Sequence, residues 1–180
     1  MIYVFFANGT EEIEALTPVD LLRRCELDVK TVGIGSNIVR SSHGIPVVTD
    51  LTAEEIVLDD ALEMIVLPGG MPGTLNLEKN PDVQRAIDFC AEKGIFIAAI
   101  CAAPSILGHK GLLRGRRATC FPGFEGSLEG AQVTNALVET DGKFVTGKGA
   151  GAAMTFSLRL AALLTSQARA DLLEASLQCK

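Results

Sequence analysis

The stretch that decides the fold is residues 95–104, which read IFIAAICAAP. The residues before the cysteine are all apolar, a pattern typical of a strand buried on both faces of a parallel sheet. The strand runs directly into Cys101, and Pro104 fits the first turn of a helix that begins just beyond it. The residues around the cysteine are small, as a sharp strand-to-helix turn requires, because the turn brings its flanking residues close together. The pattern predicts a cysteine exposed at the turn between a central strand and the next helix.

Strands and helices alternate along the rest of the chain. Apolar runs at residues 2–7 and at Met64–Leu67 predict two further strands. Residues Pro81–Lys93 carry apolar side chains at helical spacing, with proline at the first helical position and Gly94 at the expected end. This alternation predicts an α/β fold in which a mostly parallel, doubly wound sheet forms the middle of a three-layer sandwich. The other predicted elements are a strand at 28–34, an edge hairpin within 36–50, strands at 116–120 and 133–147 with a hairpin turn at Asp141-Gly142, and helices after Pro104, after Gly151 and at 167–177.

The first helix is predicted to begin at Thr10, because threonine followed by Glu11 and Glu12 is a typical N-cap with acidic residues in the first turn. Pro18 is expected to end or kink this helix, since proline lacks the backbone N–H that an inner turn needs. A second helical stretch over residues 19–24 is predicted to continue it.

The size and composition of the chain exclude several classes of protein. Its 180 residues fit a single domain over 1–180, and its net charge of −6 argues against a nucleic-acid footprint, which needs a clustered basic surface. No apolar run approaches the ~20 residues that span a bilayer, so no membrane segment is expected. Residues 1–6 lack the positive region and cleavage site of a signal peptide and are predicted to belong to the first strand.

The cysteines form neither a disulfide framework nor a metal-binding pattern. Their number, five, is odd, no Cys-x-x-Cys occurs, and the two histidines, His43 and His109, lie far apart in sequence. We therefore expect reduced thiols, a cytoplasmic protein and no bound metal. Cys90 and Cys25 are predicted to be packing residues, whereas Cys179 in the tail is expected to be exposed.

Cys101 is the first candidate for chemistry. Its position places the sulfur near a helix N-terminus, whose partial positive charge favours a thiolate. A small buried core cysteine is the alternative interpretation.

Glu14 is the second candidate, because its apolar neighbours Ile13 and Ala15 indicate that it points inward. A carboxyl group beside a thiolate is expected to be protonated by repulsion and desolvation and to relay protons. A solvated helix glutamate is the alternative for this residue.

Two glycine-containing turns offer backbone N–H groups to a ligand. Gly69 and Gly70 end a buried strand, and the N–H of Gly70 is predicted to form an oxyanion hole with the N–H of Ala102. The segment 149–151, which reads GAG, precedes a helix and fits either an anion cradle or tight packing. Cys120 ends a predicted strand and is a further candidate for the lining of the site.

Four segments resemble the ThiJ/PfpI superfamily, in particular the branch of the Parkinson-disease-associated deglycase and its bacterial relatives. They are residues 11–14 (EEIE), 66–70 (VLPGG), 98–104 (AAICAAP) and 147–151 (GKGAG), and the resemblance covers nearly the whole chain. It implies a flavodoxin-like sandwich that usually forms a homodimer. It also implies activity without a cofactor: conversion of methylglyoxal to lactate, repair of glyoxal-modified protein or nucleotide groups, or redox-linked chaperoning or sensing.

The resemblance also assigns roles to the candidate residues. It implies that Cys101 is a nucleophile on a strained elbow and that Glu14 is its protonated partner. Gly70 and Ala102 match the positions that supply oxyanion-hole amides.

The chain departs from the family pattern near the site. Ala102 stands where the protease-like branch has histidine, and Phe121 stands where the human-type members have it. Ala150 replaces the proline of a Gly-Pro-Gly turn, and His43 falls about where some relatives have arginine. These departures leave the thiol–carboxyl pair intact. The residues predicted to line the site are Gly69, Phe121, Cys120, His43, Gly149 and Ala150.

The leading hypothesis is a cofactor-independent glyoxalase or deglycase that acts on methylglyoxal or a glyoxal-derived adduct through Cys101. The alternative is a cysteine-based sensor of oxidative stress or a redox chaperone without turnover, since an accessible thiol beside an acid oxidises readily. A third hypothesis, a cysteine peptidase or amidase, requires His43, His109 or a neighbouring subunit to supply the general base. The predicted partners are a small reactive aldehyde or glycated substrate and a second copy of the chain, without nucleic acid or membrane.

Overall fold

The computed structural model describes residues 1–179, in which strands and helices alternate. The strands are β1 (Ile2–Phe6), β2 (Val29–Gly33), β3 (Ile38–Arg40), β4 (Pro46–Val48), β5 (Leu51–Thr52), β6 (Met64–Leu67), β7 (Phe96–Ile100), β8 (Arg117–Ala118), β9 (Gln132–Val133), β10 (Val138–Asp141) and β11 (Phe144–Gly147). The helices are α1 (Glu12–Arg24), α2 (Gly73–Lys79), α3 (Pro81–Lys93), α4 (Pro104–His109), α5 (Ala153–Leu164) and α6 (Gln167–Ser176). Over the described residues, none of these helices has the length and apolar character that crossing a bilayer requires.

The central layer is a seven-stranded sheet with the strand order β10-β11-β7-β6-β1-β2-β5. Neighbouring strands in it are parallel except β10 and β11, which form the hairpin predicted at Asp141-Gly142. Side chains of β1 alternate between two cores. Tyr3 and Phe5 pack with residues of α2, α3 and α4, whereas Ile2 and Val4 pack with residues of α1, α5 and α6. The structure confirms the predicted α/β sandwich with a mostly parallel, doubly wound sheet.

The order of the strands explains where the candidate residues meet. β2 lies on one side of β1 and β6 lies on the other, so the loops that follow β1 and β6 leave the sheet side by side. β7, next to β6, brings Cys101 to the same carboxyl edge. Ligands of doubly wound sheets bind at such a switch point, and the fold gathers the candidate segments there.

Helix α1 has its N-cap one residue later than predicted, and of the two effects expected of Pro18 the structure excludes that it ends the helix. Glu11 is the N-cap, and its carboxylate accepts the N–H of Glu14 at 2.7 Å. Thr10 instead closes the preceding turn, because its hydroxyl accepts the N–H of Ala7 at 3.0 Å. Pro18 lies inside the helix and does not end it. Buried side chains on both sides of Pro18 pack against the sheet and α5, and this packing holds the helix together across the missing hydrogen bond.

Four smaller elements also differ from the predictions. The hairpin within 36–50 is present as β3 and β4, but it forms its own two-stranded sheet, and β5 is the edge strand of the main sheet. Within 116–120 only β8 is a strand, and it pairs with β9 outside the main sheet. Helix α2 is not indicated by the sequence, since its N-cap Pro72 offers no capping side chain. The glycine-rich turn continues as a 3₁₀ turn, Ala150–Ala152, before α5 begins.

Candidate active site

Cys101 lies on the sharp turn that the sequence predicts between β7 and α4. Its φ angle of 65° lies in the left-handed region, which a residue with a side chain rarely adopts. Two backbone hydrogen bonds hold this conformation: the N–H of Cys101 donates to the carbonyl of Gly147 at 2.9 Å, and its carbonyl accepts the N–H of Phe121 at 2.8 Å. The strained turn is therefore fixed by both neighbouring segments, while the side chain stays partly accessible.

Glu14 reaches the sulfur from the first turn of α1. The residue is buried, with 1% of its surface exposed. Its Oε2 accepts the N–H of Gly69 at 3.0 Å, and the N–H of Ala150 lies close enough to the carboxyl group to lower its pKa. The carboxyl group and the thiol of Cys101 lie on either side of Gly69, close enough for each to shift the pKa of the other. The structure thus brings the two principal candidates of the sequence into direct contact.

Gly69 lies between these two side chains. A Cβ atom at this position would lie 2.6 Å from Oε2 of Glu14 and 2.7 Å from Cβ of Cys101, closer than such atoms approach. Only glycine therefore leaves room for the carboxyl group beside the thiol. The sequence indicates Gly69 only as a lining residue, because the groups it touches are distant along the chain.

Two backbone amides converge on the sulfur. The N–H groups of Gly70 and Ala102 lie close enough to the Cys101 thiol to lower its pKa. Gly70 has a φ of 88°, and a Cβ on it would lie 2.3 Å from the backbone nitrogen of Glu11. The loop after β6 therefore packs backbone to backbone against the loop after β1. The two amides predicted for an oxyanion hole lie beside the sulfur.

Burial makes Glu14 a weaker acid than an ordinary glutamate. It raises the pKa of the carboxyl group to about 7, and the nearby charge of Glu11 adds to this, although hydrogen bonds from Cys101 and from two backbone amides oppose the rise. A carboxyl group with this pKa is present in both protonation states near neutral pH. This property suits a group that takes up and returns protons.

The low thiol pKa expected for Cys101 is not found. Burial, followed by the charge and the hydrogen bond of Glu14, raises the pKa of Cys101 to about 12, while the amides of Gly70 and Ala102 lower it. A helix N-terminus contributes only about 0.3–1 kcal/mol, which is too little to offset this burial. The repulsion disappears when Glu14 is protonated. The two groups therefore carry at most one negative charge near neutral pH, and they titrate as a pair.

Phe121 and Ala150, two of the predicted lining residues, adjoin this pair, whereas Cys120 packs elsewhere. The ring of Phe121 is half exposed and packs over Gly149, where a Cβ would lie 3.1 Å from the ring. The N–H of Ala150 lies near the carboxyl group of Glu14 and lowers its pKa. Cys120 is buried next to Phe121 in the chain, and burial together with the charge of Glu125 raises its pKa to about 11. A buried thiol of this kind is a packing residue.

Each of the two histidines is hydrogen-bonded to a carboxylate other than that of Glu14. Nδ1 of His43 lies 2.9 Å from Oε1 of Glu12, and Nδ1 of His109 lies 2.6 Å from Oε1 of Glu78. Burial opposes the ionisation of Glu12, but hydrogen bonds with its own backbone N–H, with His43 and with a serine lower its pKa to about 2. Within residues 1–179 the structure therefore places no imidazole at the thiol to serve as the general base of a peptidase.

Glu11, Glu12 and His43 bring three potential ligand atoms within 4.8 Å of one another. Carboxylate and imidazole groups suit a divalent transition metal, so these residues could hold one beside the start of α1. The sequence does not indicate this cluster, because His43 reaches the two glutamates only through the β3–β4 hairpin.

The remaining cysteines follow their predictions. Cys90 and Cys25 are buried, and Cys179 is exposed. None of the five cysteines, all of which lie within the described residues, is paired in a disulfide.

Comparison with protein-family models matches residues 1–163 to the DJ-1/PfpI family. The chain is 32% identical over 162 residues to the Parkinson disease protein 7 homolog of Danio rerio, and the aligned region covers 87% of this chain and 85% of that protein. It is 37% identical over 167 residues to Protein DJ-1 homolog B of Arabidopsis thaliana, which covers 91% of this chain. The chain spans only 38% and 43% of the lengths of two Arabidopsis relatives. A Schizosaccharomyces pombe protein named glutathione-independent glyoxalase DJ-1 is 29% identical over 167 residues, which covers 87% of each protein.

Solved structures share the fold. The crystal structure of a mutant DJ-1 superfamily protein from Salmonella typhimurium has a TM-score of 0.92 at 35% identity and covers 98% of this chain and 97% of that chain. The structure of oxidized Toxoplasma gondii DJ-1 has a TM-score of 0.93 at 31% identity, with the same coverage of 98% and 97%. These similarities confirm the predicted flavodoxin-like α/β fold.

Proposed function

The chain belongs to the DJ-1/PfpI family, and from that premise we propose that it is a cofactor-independent glyoxalase or deglycase with Cys101 as its nucleophile. The observation that carries the proposal is the contact between the elbow thiol and a buried carboxyl group, Glu14, whose pKa is about 7. The relative from Schizosaccharomyces pombe, named a glutathione-independent glyoxalase, supports this class of activity.

The first step is addition of the sulfur to the aldehyde carbon of an α-oxoaldehyde such as methylglyoxal. Glu14, as the carboxylate, removes the thiol proton while the carbon–sulfur bond forms and the carbonyl π electrons move to oxygen. The N–H groups of Gly70 and Ala102 stabilise this oxyanion until the carboxyl group returns the proton to it. The product is a hemithioacetal. The high thiol pKa is no obstacle, because the base is in contact with the thiol.

The second stage converts the hemithioacetal into a 2-hydroxy acid. Glu14 removes the hydrogen of the former aldehyde carbon as a proton and delivers a proton to the neighbouring ketone carbon, by way of an enediol. The first carbon is thereby oxidised to a thioester and the second is reduced to an alcohol, so no external oxidant or reductant takes part. Water then cleaves the carbon–sulfur bond, which releases lactate and restores the thiol.

Consumption of methylglyoxal and formation of lactate test the proposal. We expect Cys101→Ser and Glu14→Gln each to abolish turnover, because the first removes the nucleophile and the second removes the base. Cys179→Ser and Glu92→Gln are matched controls at exposed positions and should keep wild-type rates. Turnover that persists in either site variant would exclude this mechanism.

We also propose that the chain is a single domain that acts as a cytoplasmic homodimer. Exposed apolar side chains on α1 and on the β3–β4 hairpin support pairing with a second copy through this face. They are Ile13, Leu16, Ile38, Ile45 and Val48. The free cysteines support a reducing compartment. A mass of one chain in light scattering of the purified protein would contradict the dimer.

A redox sensor is the second candidate function. The structure of a relative, Toxoplasma gondii DJ-1, is of the oxidized protein. In this chain, hydrogen peroxide would convert the Cys101 sulfur to a sulfenate and a second peroxide would give a sulfinate, each peroxide being reduced to water. The protonated Glu14, which neighbours Cys101, would donate a hydrogen bond to that sulfinate. After mild peroxide, mass spectrometry should show Cys101 gaining two oxygens first, whereas equal oxidation of all five cysteines would contradict a sensor.

A further inference from the structure

A depression of about 420 Å³ lies beside Phe121, the residue whose N–H holds the carbonyl of Cys101. Its volume lies within the roughly 300–1,000 Å³ typical of small-molecule sites. A three-carbon aldehyde such as methylglyoxal would leave most of it empty. The depression, here called the Phe121 pocket, is lined by Phe121, Pro122, Leu137, Lys148 and residues 149–152.

The Phe121 pocket is connected to both members of the pair through the backbone. The N–H of Phe121 donates to the carbonyl of Cys101 at 2.8 Å. The N–H of Ala150 lies close enough to the carboxyl group of Glu14 to lower its pKa. A group bound against Phe121 and Ala150 therefore lies next to the residues that hold the elbow and the acid in place.

The lining of the Phe121 pocket is apolar and carries one charge. The side chains of Phe121 and Leu137 are 47% and 55% exposed, which leaves their apolar surfaces open to a ligand. Lys148 is the charged residue of the lining, and its ammonium group contacts Oδ1 of Asn135. An apolar group fits this surface, and a nearby anion is favoured, whereas a cation such as a guanidinium group is repelled by Lys148.

We propose that the Phe121 pocket makes this chain selective for α-oxoaldehydes that carry an apolar body of about ring size, rather than for methylglyoxal or for adducts on arginine side chains. This inference rests on the proposed function, because it names the substrate class of the same Cys101–Glu14 site. The apolar body lies against Phe121 and Leu137, while the reacting aldehyde reaches the sulfur.

Initial rates with phenylglyoxal and methylglyoxal test the selectivity. The wild type is expected to have the higher kcat/KM for phenylglyoxal. Phe121→Ala and Leu137→Ala should each lower the ratio of the two kcat/KM values about tenfold, since each removes apolar contact with the ring. Leu172→Ala is the matched control, because this exposed leucine lies on α6 away from the pocket, and it should leave the ratio unchanged. A ratio that neither pocket variant changes overturns the inference.

Calorimetric titration with mandelate, the 2-hydroxy acid formed from phenylglyoxal, separates the inference from the proposed function. We expect the wild type to bind mandelate more tightly than lactate, and Phe121→Ala to weaken mandelate binding about tenfold. Methylglyoxal turnover without preferential mandelate binding overturns the pocket and leaves the proposed function standing. Mandelate binding that depends on Phe121, in a protein that turns over neither aldehyde, supports the pocket and contradicts the proposed function.

Discussion

The close approach at Gly69 makes a quantitative prediction about the Gly69→Ala variant. The added Cβ would lie 2.6 Å from Oε2 of Glu14 and 2.7 Å from Cβ of Cys101, so at least one of these side chains must move. Neither moves freely, because Glu14 is buried and two backbone hydrogen bonds hold Cys101. Inserting one methyl group into such a site destabilises a protein by about 1–3 kcal/mol. The same displacement separates the carboxyl group from the thiol, so methylglyoxal turnover should fall about 10- to 100-fold.

Urea unfolding measures the loss of stability in Gly69→Ala, and steady-state kinetics measure the loss of activity. For a chain of this size, the expected destabilisation corresponds to a fall in Tm of roughly 2–12 °C. Gly126→Ala is the matched control, since a Cβ on Gly126 would meet no atom within 4 Å. If Gly69→Ala unfolds at the same urea concentration as Gly126→Ala and keeps full activity, the reasoning about this contact is refuted.

Three further predictions concern stability and are measured by urea unfolding. The pKa of Glu14, about 7 in the folded protein, lies above its ordinary value of 4.5, so folding binds a proton and stability falls as pH rises between these values. The loss should reach up to about 3 kcal/mol and be absent in Glu14→Gln, and a wild-type stability that stays level would contradict it. Phe156→Ala should lower the free energy of unfolding by about 3–5 kcal/mol, because the ring is fully buried between α5 and the sheet. His109→Gln, which removes the partly exposed link to Glu78, should lower it by only about 0.5 kcal/mol.

Elements with local signals are predictable from the sequence. Helix α3 begins after Asn80, whose side chain accepts the N–H groups of Asp82 and Val83, and it ends at a left-handed Gly94. Both signals lie within the helix and its caps. Pro18 gives an equally local signal, but the helix continues through it, because the packing of α1 on the sheet and α5 outweighs the loss of one hydrogen bond.

The contacts of the site depend on residues that are distant in sequence. The inward direction of Glu14 is indicated by its apolar neighbours, but its hydrogen bond with Gly69 joins two loops that only the sheet brings together. The pKa of Cys101 shows this dependence on distant residues most clearly. Its position before α4 favours a thiolate, yet burial and the charge of Glu14 dominate, and neither quantity can be obtained from residues 95–104 alone.

The claim that Cys101 and Glu14 act as one unit is tested most directly by titrating the thiol in the wild type and in Glu14→Gln. The rate at which iodoacetamide alkylates Cys101, followed by mass spectrometry as a function of pH, reports the thiolate of this cysteine alone. In the wild type we expect the pKa of Cys101 to lie well above the ordinary thiol range, toward about 12. In Glu14→Gln it should fall, because the charge that opposes ionisation is gone. The same thiol pKa in both proteins would contradict the account.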